Sequence, residues 1–322
     1  MYPMLLSAPI KDYLWGGKRL INEFGFKTEG DKAAEAWMLS CHNQGMSTIL
    51  NGEYKGQTLD SVIKTLGADF AGKKTMEYKD FPLLIKLIDA QNQLSIQVHP
   101  DDEYALKNEG EFGKTEMWYV VDAKPDSNLI YGFKQNISKE EFKKRIENNT
   151  LLQVCNIVPV KKGDMFFIPA GTLHAIGDGL LIAEIQQNSN STYRVYDYNR
   201  KDANGNTRPL HIEKALDVTK TTPPTLPYGN VGDSKQQYYG VLRKLVECDL
   251  FTAEVIDIDK AVGLTTDENS FQSLVVLEGS AVITYTRDIV RSLSVKKGDS
   301  IFVPANFSCT IHGACKMICA RL

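Results

Sequence analysis

Val160-Lys-Lys-Gly-Asp164, followed by Phe166-Phe-Ile-Pro-Ala170, returns later in the chain as Val295-Lys-Lys-Gly-Asp299, followed by Ile301-Phe-Val-Pro-Ala305. The offset is constant at 135 residues, from 160 to 295 and from 166 to 301. A Gly-Asp turn leading into an apolar strand that ends in Pro-Ala is a compact hairpin unit, with turn residues where the backbone must reverse. Two copies at this density of identity point to two copies of one β-barrel domain.

Outward from these units, most of the chain reads as short strands broken by Gly, Pro, Asp and Asn. Examples cover residues 81–87, 94–98, 117–121, 165–168, 180–185, 274–277, 281–285 and 300–303. Three stretches read as helices. Residues 58–66 carry Leu59, Val62, Ile63 and Leu66 on one face behind Thr58 as N-cap. Residues 101–108 open on two aspartates, which suit a helix N-terminus. Residues 138–148 begin with Ser138 and Glu141 in a capping-box pattern. Strands this numerous, with few helices between them, favour a mainly β protein over a doubly wound sheet. The stretch 219–237 holds Pro223, Pro224, Pro227, Gly229 and Gly232 and reads as a linker. The expected division is residues 1–218, the linker 219–237, and a second, degenerate domain over residues 238–322.

With 322 residues, the chain has apolar side chains enough for sizeable cores. Lys+Arg 37 against Asp+Glu 40 leaves a formal charge of −3, without the basic excess of a nucleic-acid binder. No run approaches the length of a membrane-spanning helix. The start of the chain lacks the basic region and cleavage site of a secretory signal. Six cysteines with no Cys-x-x-Cys pair read as reduced thiols, and so as a cytoplasmic protein.

The two copies differ at chemically informative positions. Five residues past Pro169 the first copy has His174, and the matching residue of the second is Cys309. Aligning Tyr119-Val-Val-Asp122 with Val275-Val-Leu-Glu278 sets Glu116 opposite Gln272. One copy keeps a histidine and a carboxylate that the other lacks, which suggests one functional and one structural barrel.

Five histidines occur: His42, His99, His174, His211 and His312. In Gln97-Val98-His99 the strand period of two puts Gln97 and His99 on one face. Glu116 opens the next strand, and His174 follows the Gly171 turn. Two imidazoles, a carboxylate and an amide oxygen from three neighbouring strands suit one zinc or another borderline divalent ion. One carboxylate among neutral donors would leave a divalent ion a net charge of about +1, so it would remain a Lewis acid. The competing reading makes His99 and His174 ordinary hydrogen-bonded barrel residues.

Arg194, in Ser191-Thr-Tyr-Arg-Val-Tyr-Asp197, can hold a phosphate or steady an oxyanion by forked hydrogen bonds. Lys114 shares the side of Glu116 on an extended chain. Spacing alone leaves both open between ligand-binding cations and surface charges. Two motifs are rejected. Gly110-Glu-Phe-Gly-Lys-Thr115 lacks the first glycine of a P-loop and leads into a strand, so it offers no helix N-terminus to phosphate. Cys309, His312, Cys315 and Cys319 are spaced closely enough to ligate, yet sit among Thr310, Ile311, Met317 and Ile318 as buried strand cysteines do.

Gln97-Val-His-Pro-Asp-Asp102, Gly113-Lys-Thr-Glu-Met-Trp118, Ile168-Pro-Ala-Gly-Thr-Leu-His174 and Glu184 followed by Arg194 resemble, in this order, the motifs of mannose-6-phosphate isomerases. The likeness runs from Trp15-Gly16-Gly17 and Glu35-Ala-Trp37 to Tyr196-Asp-Tyr-Asn-Arg200, and is to the short bacterial form. It implies two cupin-like jelly-roll barrels with a few short helices inserted. It implies zinc held by Gln97, His99, Glu116 and His174, a catalytic Arg194, and Lys114 in the pocket of a hexose 6-phosphate. It also implies exchange of aldose and ketose phosphates through a cis-enediol, with the base open among Lys114, Glu184, a zinc-bound water and a released ligand. Relatives carry an acid in the loop before the arginine, where this chain has Asn190 and Ser191.

Three other readings compete. An iron oxygenase could use the same two-histidine, one-carboxylate set. A sugar-binding or storage double cupin would hold a structural metal. A glucose 6-phosphate isomerase is the nearest neighbour in chemistry. Monomer and homodimer are both compatible with the sequence.

Overall fold

The computed structural model describes residues 1–201, 204–237 and 240–322. Strand predominates over helix, as the punctuation of the sequence leads one to expect. Among the described residues the strands form three antiparallel sheets. A six-stranded sheet runs in the order Ile10–Lys11, Glu35–Leu39, Leu83–Ala90, Leu180–Gln187, Glu116–Ala123 and Met165–Ile168. A five-stranded sheet runs Tyr193–Tyr196, Ile96–Val98, His174–Ile176, Asn128–Phe133 and Cys155–Pro159. The third, of nine strands, is built mainly from the C-terminal segment, with Gln272–Thr286 and Ser308–Arg321 as its long central pair. The first strand of the chain, Met4–Leu6, pairs with Ser300–Val303 and so belongs to this last sheet.

The six-stranded sheet is covered on both faces. Alternate side chains of a strand point to opposite sides. Leu83, Ile85 and Leu87 therefore pack in one apolar cluster with Val275, Phe302 and Ile318 of the nine-stranded sheet. Ile88 and Ala90 pack in another, with Leu129, Tyr131 and Ile176 of the five-stranded sheet. A sheet buried on both faces needs near-continuous apolar strands. Leu83–Ala90 and Leu180–Gln187 are buried at every position. Lys86, Asp89 and Glu184 are the charged exceptions, and parity turns Lys86 and Glu184 toward the five-stranded sheet.

The repeated unit is one piece of geometry used twice. Gly163 and Gly298 hold φ of 92° and 93°, a region open to glycine and costly for other residues. The Asp164 carboxylate accepts the Lys161 N–H at 2.9 Å, and Asp299 accepts the Lys296 N–H at 2.8 Å. The two glycine N–H groups donate to Val120 and Val276, residues equivalent in the two copies. The strands that follow, Met165–Ile168 and Ser300–Val303, have the bounds the sequence implies.

The expected helices form with the expected caps: Thr58 before Leu59–Leu66, Asp101 before Asp102–Asn108, and Ser138 before Lys139–Glu147. The strands expected at 274–277 and 281–285 are instead one, Gln272–Thr286. Gly279, with φ of 74°, and a register shift at Val276/Glu278 bend the strand without ending it. Within 219–237, Ser234–Gln237 pairs with Gly240–Glu247. The domain start expected at 238 lies outside the described residues. A short helix, Ile212–Val218, gives no signal in the sequence because no side chain caps its N-terminus. Among the described residues, no helix is long and apolar enough to cross a membrane.

Candidate active site

Register decides which side chains meet. In the five-stranded sheet Gln97 stands opposite His174 on one side and Arg194 on the other. Directly opposed residues of antiparallel strands share a face, so Arg194, Gln97 and His174 form a row across three strands. His99, two residues past Gln97, follows the same parity. From the facing six-stranded sheet, Glu116 stands opposite Gln186, and Glu184 stands between Trp118 and Lys86.

The four residues expected to bind metal converge here. His99, Glu116 and His174 are each at most 1% exposed, and one donor atom from each lies within 4.8 Å of the others. The Gln97 amide reaches the same cluster, its nitrogen 3.5 Å from His174 Nε2, and a half-turn of the amide presents its oxygen there instead. Each imidazole is oriented from behind. His99 Nδ1 lies 2.8 Å from the Ser191 carbonyl oxygen, and His174 Nδ1 lies 2.8 Å from that of Thr172. A carbonyl only accepts, so each ring carries its proton on Nδ1.

Burial pushes both imidazoles toward the neutral form, His174 to about 3 and His99 well below its ordinary value, with the Lys114 ammonium adding to burial in each case. Both Nε2 atoms then present lone pairs, and they face each other across 3.1 Å. Glu116 Oε1 is buried with no hydrogen-bond donor, 3.4 Å from His174 Nε2. Lone pairs this crowded, with Glu116 Oε1 left without a donor, fit a divalent cation, and two imidazoles, a carboxylate and an amide oxygen form a donor set that zinc accepts.

Lys114 reaches the same cluster. Its ammonium contacts Glu116 Oε2, lies 3.1 Å from His99 Nε2, and stands 3.9 Å from Glu184 Oε1. Lys86 bridges Glu184 at 3.3 Å and Glu35 at 3.7 Å. Burial pushes the Glu184 carboxyl up, but the Lys114 and Lys86 ammoniums outweigh burial and hold it below its ordinary value. Trp118 Nε1–H fixes it further by donating to Oε1 at 2.9 Å. Burial pushes the Glu116 carboxyl up against the pull of Lys114; with Glu116 ionised, as ligation of a metal requires, two ammoniums against Glu35, Glu116 and Glu184 leave one negative charge. A divalent ion would turn that into one positive charge, which suits an anionic ligand.

Above this floor lies a cavity of about 290 Å³ lined by Gln97, Lys114, Trp118, Glu184, Arg194 and Arg208, among others. The Arg194 guanidinium donates to Ser95 Oγ at 3.2 Å and to the Pro209 carbonyl at 3.0 Å, neither of which neutralises it. Asp197 receives both Arg200 and Arg208. Lys86 and Arg208 did not enter the sequence-based site. Lys86 had a usable signal, a lysine inside the otherwise apolar run Leu83-Leu-Ile-Lys-Leu87. Arg208 had none, since it reaches the cavity through Asp197.

Neither rejected motif forms the site it mimics, although Lys114 of the first belongs to the cluster. The strand Glu116–Ala123 follows residues 110–115, as expected. Cys309, Cys315 and Cys319 are free and buried, and His312 meets the Thr284 hydroxyl.

Comparisons with known proteins agree with this geometry. The model of the phosphomannose isomerase type I catalytic domain matches residues 4–140, and that of the mannose-6-phosphate isomerase cupin domain matches residues 242–322. The mannose-6-phosphate isomerase of Streptococcus mutans is 38% identical over 303 residues, covering 94% of this chain and 92% of its own. Mannose-6-phosphate isomerase ManA of Bacillus subtilis is 36% identical over 303 residues, 94% and 93% of the two chains. The crystal structure of a mannose 6-phosphate isomerase from Bacillus subtilis superposes with a TM-score of 0.90 at 35% identity, over 99% of both chains. Likeness of this extent, over nearly the whole length, makes the chain a member of the mannose-6-phosphate isomerase family.

Proposed function

We infer that this protein interconverts mannose 6-phosphate and fructose 6-phosphate, using one zinc ion held by Gln97, His99, Glu116 and His174. The observation that carries the reading is the pair of imidazole lone pairs and the orphaned Glu116 oxygen beneath an arginine-lined cavity. A divalent ion bound there supplies Lewis acidity toward the carbonyl and hydroxyl oxygens of the sugar.

The chain's own residues do the rest. The reaction moves one proton between C1 and C2 through a cis-enediol, so a proton carrier must reach both carbons. Glu184 suits this role because it lines the cavity, is kept ionised between two ammoniums, and is fixed by Trp118. Lys114 adds positive potential where the enediol oxygens gain charge. Arg194, beside Gln97 in the strand row, steadies the anionic intermediate with a fork of N–H donors. Arg208 faces the same cavity and adds attraction for the phosphate. Residues 1–218 carry this machinery. Residues 238–322 repeat its scaffold with Gln272 and Cys309 where the acid and the histidine would be.

A coupled assay with mannose 6-phosphate, on metal-analysed protein before and after a chelator, tests the reading. Turnover should vanish on stripping and return with zinc. Faster conversion of glucose 6-phosphate, or full turnover by metal-free protein, would refute it. Glu184→Gln should lower kcat by about 10²-fold with little change in zinc content. A kcat within threefold of wild type would remove Glu184 from the proton transfer.

A further inference from the structure

Residues 110–115, the segment that mimics a phosphate loop, carry a carboxylate, Glu111, with no part in the scheme above. Glu111 Oε2 accepts the Asn190 backbone N–H at 3.2 Å, the Ser191 hydroxyl at 3.4 Å and the Ser189 hydroxyl at 3.5 Å. Its other oxygen faces His42 Nε2 at 3.8 Å. His42 accepts the Gln44 N–H on Nδ1 at 3.2 Å, and burial favours the neutral ring, so its remaining proton sits on Nε2 and points at Glu111. The His42 ring is itself wedged edge-on against Trp37. Glu111 thus gathers residues 189–191, with a buried histidine beside it beyond hydrogen-bond distance. The Ser191 carbonyl at the end of that turn receives His99 Nδ1–H at 2.8 Å.

We propose that Glu111 is a positioning residue for the metal centre, one that holds the Ser191 carbonyl where it fixes the tautomer and direction of the His99 imidazole. The proposal rests on reading His99 as a ligand. Apart from the Ser191 N–H, which donates to Ser189 Oγ at 3.2 Å, the remaining anchors of the turn act earlier along it. Gln186 Nε2 holds the carbonyls of Gln187 and Ser189 at 2.7 Å, and the Asn190 side chain reaches Gln44 at 2.7 Å. The Ser191 hydroxyl is tied to Glu111. An anionic acceptor that gathers several donors is stronger than a neutral one, so its loss loosens residue 191 more than residues 187–189. A displaced Ser191 carbonyl leaves His99 Nδ1–H without its acceptor. The ring then samples the tautomer protonated on Nε2, which has no lone pair to offer a metal. The Glu111 side chain is 33% exposed, so its replacement disturbs little packing.

Two measurements on the full chain test this without substrate. Nitrogen-15 spectra of labelled histidines in metal-free protein report the His99 tautomer, and competition with a chromophoric chelator reports zinc affinity. Wild type and Glu111→Gln, whose amide oxygen still accepts, should hold His99 in one Nδ1–H form. Glu111→Ala should give a tautomer mixture and bind zinc about ten- to a hundredfold more weakly. A single Nδ1–H tautomer in Glu111→Ala, with zinc affinity within twofold of wild type, overturns the proposal. Should that variant not fold, Ser191→Ala removes one of the same hydrogen bonds, leaves the Ser189 acceptor of the residue 191 N–H in place, and must shift the tautomer in the same direction. An unchanged tautomer there also overturns it. A wild-type protein that binds zinc but does not turn over mannose 6-phosphate would refute the isomerase reading and leave this one intact.

Discussion

Alanine at His174 is expected to leave the protein folded, free of tightly bound divalent ion, and slower in turnover by more than about 10³-fold. The imidazole is fully buried, and its Nε2 faces both His99 Nε2 and Glu116 Oε1. Without it the cluster loses a donor on the five-stranded side and keeps a buried carboxylate that Lys114 alone must balance. Lys114 can do so, because its ammonium already contacts Glu116. That contact is why the variant should fold while its metal is lost. Folding is supported from outside the site as well, since the clusters that join the three sheets are apolar and contain neither histidine. His312→Ala is the matched control. His312 is exposed on the C-terminal sheet, and its loss should change neither metal content nor kcat. Metal analysis, circular dichroism and the coupled assay read the three outcomes separately. A His174→Ala protein that retains stoichiometric zinc, or turns over within tenfold of wild type, would remove His174 from the ligand set.

What the sequence disclosed of this site, and what it hid, follows from the range of the interactions. Gln97 and His99 were readable together because strand parity is local. Glu116 and His174 were readable because the repeat supplies a comparison inside the chain. Gln272 pairs with Val303 just as Glu116 pairs with Ile168, yet it carries an amide in place of the acid. Lys86 joins the site only because Leu83–Ala90 pairs with Leu180–Gln187, and no local pattern announces that partner. The same holds for Met4–Leu6, a strand too short to show alternation, which finds its partner at Ser300–Val303. Glu111 is the clearest case. Its segment leads into a strand and offers no helix N-terminus to phosphate, and the contact that gives it a role lies 79 residues along the chain, at Asn190. The turn at Asn190 and Ser191 contains no acid of its own and takes its carboxylate from there.

Arg194→Ala is expected to lower kcat by about 10³-fold, and kcat/KM with it, while zinc content stays at the wild-type level. Arg194 stands opposite Gln97, which is next in the row to His174, and it lines the cavity with a charge that no carboxylate contacts directly. Ser95 and Pro209 hold it in direction without neutralising it. Donors fixed in this way before the reaction stabilise charge that exists only in the transition state, so their loss falls on kcat. Arg194→Lys keeps the charge and loses the fork, and should recover only part of the rate. The contrast with Arg208 makes the assignment discriminating. Arg208 grips both oxygens of the Asp197 carboxylate, which it shares with Arg200, so part of its charge is already balanced within the protein. It serves to attract a phosphate that is equally charged in the ground and transition states. Arg208→Ala should therefore raise KM with kcat nearly unchanged. If Arg194→Ala instead raises KM and leaves kcat within threefold of wild type, the two arginines have been assigned the wrong way round: the anionic intermediate would then have to be stabilised by Lys114 and the bound cation without help from the strand row.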